Sequence, residues 1–236
     1  MSKVRSVVLV ALLAVTGIVW IGAAPPAAAA PCPDVQVIFA RGTGEAPRPV
    51  GHTGKSFATA LMAGLPGRSV GIHGINYAAS GDYGNLLNFI KSVRDGVEGT
   101  QARIHKVINA CPSTKIVLGG FSQGAAIVGY ALSSQIRLPA ELALAQGAMP
   151  RPMPAHFADH VAAIVLFAAP SNNWLRSIGA PPITISPAYS AKTTRYCLPL
   201  DNICDGSTFG PPNPVHTIYP LAGPTASGAT FALSRI

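Results

Sequence analysis

The pentapeptide Gly120-Phe121-Ser122-Gln123-Gly124 matches G-x-S-x-G, a pattern that can present a serine nucleophile. A short apolar run at residues 115–118 precedes it and an apolar segment at residues 125–132 follows it, which predicts a buried strand and then a helix. Strand, tight turn and helix form a nucleophile elbow, where the two glycines are needed because a Cβ would collide with a neighbouring strand or helix. We therefore predict that Ser122 is a nucleophile; a helix-capping serine in a glycine-rich turn is the alternative.

A serine hydroxyl is a weak nucleophile and needs a base that is itself oriented by a third group. In chains with this elbow the order is nucleophile, acid and then histidine. Only residues after Ser122 therefore qualify, and these are the histidines His156, His160 and His216 and the acids Glu141, Asp159, Asp201 and Asp205. Asp159 and His160 are adjacent in sequence, so their side chains diverge and cannot easily pair.

Asp201 and His216 fit the acid and base roles best. Asp201 lies within a short loop that a Cys197–Cys204 disulfide would close, which would hold the carboxylate rigidly. His216 follows the proline-rich loop 210–214, which can direct an imidazole back over the strand ends. Asp205 is the alternative acid. The alternative interpretation, in which neither residue is catalytic, makes Asp201 an ordinary turn carboxylate and His216 a helix-capping or surface imidazole.

Acyl transfer also needs hydrogen-bond donors at the oxyanion. The backbone N–H of Gln123, directly after the serine, is one candidate. Thr43, in the turn after the first predicted strand, can offer both its N–H and its hydroxyl. His156 and His160 stand four residues apart, but the H-E-x-x-H form and a third ligand are missing, so the sequence predicts no metal site and no cofactor.

The N-terminal residues 1–30 have the composition of a secretory signal peptide. Lys3 and Arg5 precede an almost wholly apolar stretch, and four alanines at residues 27–30 offer small residues for cleavage near Ala29 or Ala30. An uncleaved membrane anchor is the alternative, since the apolar stretch approaches the roughly 18 residues that a membrane span requires. We expect a single domain at residues 31–236 in a secreted protein.

The four cysteines of an exported chain imply two disulfides, with three possible connectivities. Spacing favours Cys197–Cys204 as a local clip, which leaves Cys32–Cys111. Removal of Lys3 and Arg5 with the leader would lower the formal net charge from +8 to +6. The remaining basic residues are scattered without interleaved aromatics, which argues against nucleic-acid binding and favours at most weak attraction to anionic envelope surfaces.

The elements around the elbow alternate in type. Strands are predicted at residues 35–40, 69–77, 161–168 and, at a sheet edge, 192–197; helices are predicted at 55–63, 85–110 and 225–236. Residues 137–155 read as an irregular connector, and a proline- and glycine-rich loop contains Trp174. Alternating strands and helices indicate an α/β protein with a mostly parallel, doubly wound sheet.

These residues resemble the cutinase family, particularly the secreted cutinase-like proteins of actinobacteria. The matches are Ala40-Arg41-Gly42-Thr43, the elbow, the C-x-x-x-D-x-x-C element from Cys197 to Cys204, and His216 beyond it. The resemblance implies an α/β-hydrolase of three layers with a five-stranded parallel sheet and no large lid. It also implies a Ser122–Asp201–His216 triad, an oxyanion hole from Thr43 and Gln123, and disulfides Cys32–Cys111 and Cys197–Cys204. Residues 149–154 and 174–187 match no pattern of the family.

The expected function is hydrolysis of carboxylic esters through an acyl-enzyme. Family members cleave short and medium acyl esters, lipids and, in fungi, cutin polyester, so an ester or lipid substrate and a monomeric enzyme are expected. One alternative is an acyltransferase of similar fold that passes the acyl group to an alcohol. Another is a non-catalytic envelope-associated protein that retains the motifs.

Overall fold

The computed structural model describes residues 31–208 and 210–236, so the predicted leader at residues 1–30 lies outside the described residues. Five strands form one sheet in the order β2-β1-β3-β4-β5, and every neighbouring pair is parallel. The strands are β1 Val35–Ala40, β2 Val70–Gly74, β3 Lys115–Phe121, β4 Val161–Phe167 and β5 Thr193–Tyr196. The predicted α/β class, parallel sheet and edge position of the last strand are confirmed.

Helices cover both faces of the sheet. The α-helices are α1 Gly51–Ala63, α2 Leu86–Ala110, α3 Gln123–Ala131, α4 Asn172–Ser177, α5 Pro187–Ser190 and α6 Pro224–Leu233. Two separate apolar clusters result because side chains alternate across β1: Ile38 packs with α2 and α3, while Val37 and Phe39 pack with α1 and α6. The predicted three-layer architecture is therefore present. Among the described residues, none of the helices is both long enough and apolar enough to span a bilayer.

Several predicted boundaries were wrong. Helix α1 begins at Gly51 rather than residue 55. The Glu45 carboxylate accepts a hydrogen bond from the Thr53 amide, which is one of the N–H groups in the first turn that have no acceptor within the helix. A loop was expected around Trp174, but Ser171 caps the short helix α4 by accepting the Trp174 amide at 3.1 Å. Six residues are too few for a helical periodicity to be visible in the sequence.

The connector predicted at residues 137–155 contains a 3₁₀ helix, Ala140–Ala148, and a second one, Ala155–His160, follows the prolines and leads into β4. The intervening prolines lack the N–H that an α-helix requires, which accounts for the short helices on either side of an extended stretch. The strand predicted at residues 69–77 is shorter, since regular pairing with β1 ends at Gly74.

Both disulfides are present. Cys32–Cys111 joins the entry of β1 to the end of α2 across 79 residues, and Cys197–Cys204 closes a loop of seven-residue separation. Parallel strands carry their carboxyl ends to one edge of the sheet, and the residues after β1, β3 and β5 therefore emerge there together.

The elbow depends on three segments of backbone that approach one another closely. A Cβ built on Gly124 would lie 2.0 Å from the carbonyl oxygen of Ala40 in β1, and one on Gly120 would lie 2.4 Å from the carbonyl oxygen of Gly124. The sequence-based prediction that these glycines are sterically required is confirmed.

We expect Gly124→Ala to lower the free energy of unfolding by more than about 3 kcal/mol, because neither helix α3 nor strand β1 can retreat without losing its own packing. Urea denaturation measures the change. Gly147→Ala is the matched control, since a Cβ at Gly147 meets no atom within 4 Å among the described residues; its effect should stay within about 0.5 kcal/mol. Equal effects for the two variants would contradict the steric account.

Candidate active site

Ser122 stands between β3 and α3 in a strained backbone conformation. Its φ of 54° and ψ of −119° lie outside the regions that most side chains adopt. Such a conformation costs about 1–3 kcal/mol, and two backbone hydrogen bonds stabilise it. The Ser122 amide donates to the Phe167 carbonyl at 2.9 Å, and its carbonyl accepts the Ala126 amide at 3.1 Å. The side chain consequently projects from the carboxyl edge of the sheet, where the residue is partly exposed.

His216 and Asp201 complete a hydrogen-bonded chain with the serine. The Nε2 atom of His216 lies 2.8 Å from the Ser122 Oγ. On the other side of the ring, Nδ1 lies 2.9 Å from both carboxylate oxygens of Asp201. Asp201 is fully buried and His216 nearly so. The Phe121 ring stacks on the imidazole at a centroid distance of 5.0 Å, which restricts its rotation.

The loops carrying Asp201 and His216 are tied to each other by two asparagines. Asn202 accepts the Asn213 amide at 3.2 Å, and Asn213 donates its side-chain amide to the Leu200 carbonyl at 2.7 Å. The Asn213 side-chain oxygen also accepts the His216 amide at 3.3 Å, which caps the 3₁₀ helix Pro214–Thr217. These bonds fix the histidine backbone relative to the disulfide-closed acid loop.

Tyr219 is the third partner of the Asp201 carboxylate. Its buried hydroxyl donates to Asp201 Oδ2 at 2.7 Å and accepts the Leu198 amide at 2.8 Å. Burial alone would raise the pKa of Asp201, but hydrogen bonds from His216, Tyr219 and the Ile203 amide outweigh it and hold that pKa below its ordinary value. Burial, together with the neighbouring carboxylate, raises the pKa of Tyr219, so its proton stays available for this bond.

The turn after β1 presents Thr43 beside Ser122. The amides on both sides of Thr43 are engaged, since Gly42 donates to the Glu45 carboxylate at 2.8 Å and Gly44 donates to the Ala79 carbonyl at 3.0 Å. The second oxygen of Glu45 accepts the amide at the start of α1. Glu45 therefore pins the turn against the helix and orients the peptide planes around Thr43.

The segment 77–80 holds this turn from the opposite side. Arg41, although fully buried, donates to the first two carbonyls of the segment at 3.0 Å each, and Gly44 donates to the third. The side-chain amide of Gln123 donates to the fourth at 2.9 Å. Because Gln123 is the first residue of α3, its backbone N–H has no intrahelical acceptor. Thr43 and Gln123, with Ser122 between them, line one cavity.

The Thr43 hydroxyl, expected at the sequence level to be a second donor, forms a hydrogen bond with Tyr83. Burial raises the pKa of Tyr83, and this bond opposes the rise.

The other candidates from the sequence lie apart from this site. Asp205 is exposed and accepts the Ser207 amide at 2.9 Å. His160 Nδ1 lies 3.1 Å from the Pro112 carbonyl oxygen, and His156 packs edge-on against Phe157. Within residues 31–208 and 210–236 no group of three or more metal-ligating side chains occurs.

Three supporting residues escaped the sequence analysis: Glu45, Asn213 and Tyr219. Glu45 stands two residues after Thr43, Asn213 within the proline-rich loop, and Tyr219 three residues after His216. Only their proximity to candidate residues could have drawn attention to them, since single polar residues in turns carry no periodic pattern.

Comparison with known proteins gives a consistent result. A family model described as Cutinase matches residues 31–236. The carboxylesterase Culp1 of Mycobacterium tuberculosis is 37% identical over 208 residues, covering 87% of this chain and 83% of that protein. Phospholipase Culp4 of the same species is 35% identical over 235 residues, covering 99% and 92%. A Trichoderma reesei cutinase bound to a phosphonate inhibitor superposes with a TM-score of 0.63 at 31% identity, covering 86% of this chain and 77% of that one.

We expect Tyr219→Phe to lower kcat by about tenfold, the equivalent of one hydrogen bond to a charged group, with little change in KM. The Tyr219→Phe substitution removes the hydroxyl whose hydrogen bond lowers the pKa of Asp201, so the pKa of Asp201 should be higher in the variant than in the wild type. A lowered native-state pKa stabilises the protein above the unfolded-state value of about 3.9 and ceases to do so as the pH falls through the native-state value. The stability difference between wild type and variant should therefore shrink between pH 7 and pH 3.

Urea denaturation across this pH range provides the measurement. The control is Tyr189→Phe, another buried tyrosine, whose hydroxyl reaches only the Pro154 carbonyl at 3.5 Å. A pH-independent stability loss in Tyr219→Phe equal to that of the control would contradict the assigned contact with Asp201.

Proposed function

The chain belongs to the cutinase family and is a carboxylic ester hydrolase; we propose that it is a secreted serine esterase with Ser122 as nucleophile, His216 as base and Asp201 as orienting acid. One observation carries this proposal. The Ser122 Oγ, both imidazole nitrogens and the Asp201 carboxylate form a continuous chain of hydrogen bonds of 2.8 and 2.9 Å. This is the arrangement that serine acyl transfer requires.

Acylation begins with the proton of Ser122. His216 Nε2 accepts that proton as the Oγ attacks the ester carbonyl carbon, and the resulting imidazolium then donates it to the departing alcohol. A water molecule next gives a proton to His216 while its oxygen attacks the carbonyl carbon of the acyl-enzyme. The bond from that carbon to the Ser122 Oγ then breaks, His216 returns the proton to Oγ, and the carboxylic acid is released. Asp201 fixes the tautomer with the proton on Nδ1 and stabilises the imidazolium in both steps. No step draws on a metal ion or a cofactor.

The backbone amides of Thr43 and Gln123 are the proposed oxyanion donors. They serve this purpose without reorganisation because the bonds of Glu45, Arg41 and the segment 77–80 hold their peptide planes before substrate arrives. Removing one such donor costs other enzymes about 10²–10³ in kcat.

The proposed substrates are short and medium acyl esters, with lipids and cutin-like polyesters as further candidates. The apolar surroundings of Ser122 support an acyl substrate, and one relative carries the name phospholipase. Relatives named carboxylesterase favour simple esters. Hydrolysis rather than transfer to an alcohol is proposed, and product analysis with and without an added alcohol acceptor distinguishes the two.

Secretion is part of the proposal. Residues 1–30 would act as the signal peptide, and residues 31–236 would form the exported single domain. The two disulfides support this, since such bonds persist in oxidising compartments. The mature enzyme is proposed to be a monomer, with its positive charge giving weak attraction to anionic envelope surfaces.

We expect Ser122→Ala to reduce p-nitrophenyl butyrate hydrolysis to the uncatalysed rate and to abolish labelling by a fluorophosphonate probe, because the attacking oxygen is gone. The fold and both disulfides should be unchanged. Ser190→Ala, at a serine that bonds only locally to the Pro187 carbonyl, serves as control and should retain full activity. Residual turnover by Ser122→Ala, or failure of the wild type to react with the probe, would refute the assignment.

The two candidate acids can be separated by a matched pair of variants. Asp201→Asn should lower kcat by about 10²–10⁴, since an amide favours the wrong imidazole tautomer. Asp205→Asn should leave kcat within about twofold, because Asp205 is exposed and bonds to Ser207. Initial rates with p-nitrophenyl butyrate decide the question, and the reverse order of effects would transfer the acid role to Asp205.

A further inference from the structure

We propose that the wall of the cavity on the His216 side of Ser122 binds the alcohol half of the ester, and that this alcohol carries further free hydroxyl groups. Glycerol and sugar monoesters have this chemistry, whereas esters of simple alkyl alcohols lack it. The assignment rests on the proposed function, because it takes His216 as the group that protonates the departing alcohol. It adds the chemical class of the leaving group, which the proposed triad does not specify.

The proposed chemistry fixes where the departing alcohol lies. The imidazolium of His216 donates its Nε2 proton to the ester oxygen, and the same Nε2 atom lies 2.8 Å from the Ser122 Oγ. The ester oxygen must therefore come within hydrogen-bond distance of this nitrogen. The alcohol half of the substrate extends from that point, so the residues that line the cavity beside the imidazole contact it.

His216 approaches the serine from the face of the sheet that α1 and α6 cover. Phe121, which stacks on the imidazole, and Tyr219 belong to the apolar cluster on that face. The hydroxyl of Ser56 in α1 donates to the Pro220 carbonyl at 3.0 Å, which joins α1 directly to the segment that follows His216. The start of α1 and the residues after His216 thus form adjoining parts of the cavity wall.

The first turn of α1 brings His52 to this wall. Helix α1 joins the parallel strands β1 and β2, so it begins at the carboxyl edge of the sheet, where Ser122 also lies, and descends from there. His52 stands four residues before Ser56 and hence on the same face of the helix, one turn nearer to that edge. Helical side chains lean toward the start of the helix, and the exposed His52 imidazole accordingly lines the cavity.

Glu45 and Thr53 continue the polar wall toward the turn that carries Thr43. Glu45 accepts the Gly42 and Thr53 amides at 2.8 Å, one on each carboxylate oxygen. Each oxygen keeps a further lone pair, and the partly buried carboxylate lines the cavity, so it can also accept a hydroxyl from a ligand. The buried Thr53 hydroxyl has no hydrogen-bond partner among the described residues, which leaves the polar wall incompletely satisfied by the chain itself.

Thr217 adds a further acceptor on the segment that adjoins α1. It is exposed and lines the cavity, and its hydroxyl donates to the Pro214 carbonyl at 2.8 Å, so its oxygen still has lone pairs for a ligand. An imidazole, a carboxylate and a threonine oxygen suit hydroxyl groups, which both donate and accept. A neutral polyol fits better than one that carries phosphate, because Glu45 would repel the anion.

The opposite wall of the cavity differs in kind. It comes from α2 and α3, which cover the other face of the sheet, and Val93, Val97 and Ala126 are among its apolar members. Arg94 also lies there, but it donates to Glu98 at 2.7 Å. A polyol against the apolar members would lose hydration without gaining partners, whereas beside His216 it gains them. The unequal walls therefore orient the ester with its alcohol half toward α1.

The first experiment compares two butyrate esters whose alcohols each have three carbons, 1-monobutyrin and n-propyl butyrate. Titration of the released acid gives kcat/KM, and each value is divided by the rate constant for alkaline hydrolysis of the same ester to remove the difference in leaving-group reactivity. The normalised ratio should favour monobutyrin by at least about tenfold. A ratio that does not favour monobutyrin, in an enzyme that Ser122→Ala inactivates, overturns the inference and leaves the proposed esterase standing.

A third ester, methyl 6-O-butyrylglucoside, separates the two sources of such an alcohol. A normalised kcat/KM above that of monobutyrin assigns the wall to sugar esters, and a value below it assigns the wall to glycerol esters. A value for both polyol esters no higher than that for propyl butyrate overturns the class altogether.

Two substitutions test the location. His52→Phe keeps a ring but removes both nitrogens, and Thr217→Val removes a hydroxyl at nearly constant size. Each should lower the normalised ratio of monobutyrin to propyl butyrate by about fivefold or more, since a hydrogen bond to the polyol is lost. A general loss of structure or of catalytic power would affect both esters alike and leave the ratio unchanged.

The matched controls are His105→Phe and Thr230→Val. Both residues are exposed and neither lines the cavity, so both variants should keep the wild-type ratio. Wild-type ratios in His52→Phe and Thr217→Val as well would overturn the assignment of the alcohol to this wall.

Binding without turnover gives a measurement that does not need the nucleophile. Monobutyrin should bind the Ser122→Ala protein in an NMR titration, and adding His52→Phe should raise its Kd by about fivefold or more, whereas adding His105→Phe should not. This difference, in a protein whose parent shows no Ser122-dependent hydrolysis, would refute the triad alone. Its absence in an enzyme with Ser122-dependent hydrolysis would refute the alcohol site alone.

Discussion

The close approach of helix α3 to the end of strand β1 is the constraint on which the rest of the site depends. Gly124 lies so near the Ala40 carbonyl that no Cβ fits between them. This contact forces Ser122 into its positive-φ conformation and brings the Gln123 amide beside the turn that carries Thr43. A larger residue would separate the serine from both proposed oxyanion donors at once. The strain at Ser122 is thus a consequence of packing, and two parallel strands on either side of β3 maintain it.

The buried Asp201 carboxylate shows how the fold keeps a charge where water is excluded. An unpaired carboxylate in that position would be costly to ionise. Donors from His216, Tyr219 and the Ile203 amide compensate for the lost hydration and lower its pKa. Two of those donors come from the chain beyond the disulfide-closed loop, so the acid and the histidine are stabilised as one unit. The hydrogen bond between Asn202 and Asn213 fixes the position of the two loops relative to each other.

The proposed oxyanion donors and the apolar cavity beside Ser122 depend on different parts of the chain. The turn around Thr43 is held by the side chains of Glu45 and Arg41, which bond to backbone groups, and by the carbonyls of the segment 77–80. The cavity walls come instead from side chains of α2 and from the two proline-rich connectors. Substitutions in the connectors therefore change the walls of the cavity without touching the groups that hold the turn around Thr43.

The sequence alone was enough to predict the features that depend on residues close together in the chain. The glycines of the elbow, the apolar strands, the periodicity of α2 and the spacing of Cys197 and Cys204 each have a short-range physical cause. Chain order limited the candidate partners of Ser122 to residues after it, and the cysteine-flanked and proline-rich loops then favoured Asp201 and His216, which the structure brings together. Because these features need few neighbours to be recognised, the α/β class and the core of the site could be predicted.

Only the tertiary structure decided which distant groups support that core. Tyr219, Glu45 and Asn213 act through contacts between separate loops, and isolated polar residues in loops leave no pattern in a sequence. The helix around Trp174 is too short to show periodicity, and the connector at residues 137–155 has none. The cavity exists because these segments close against α2 and α3, and its length and shape follow from packing between residues far apart in the chain.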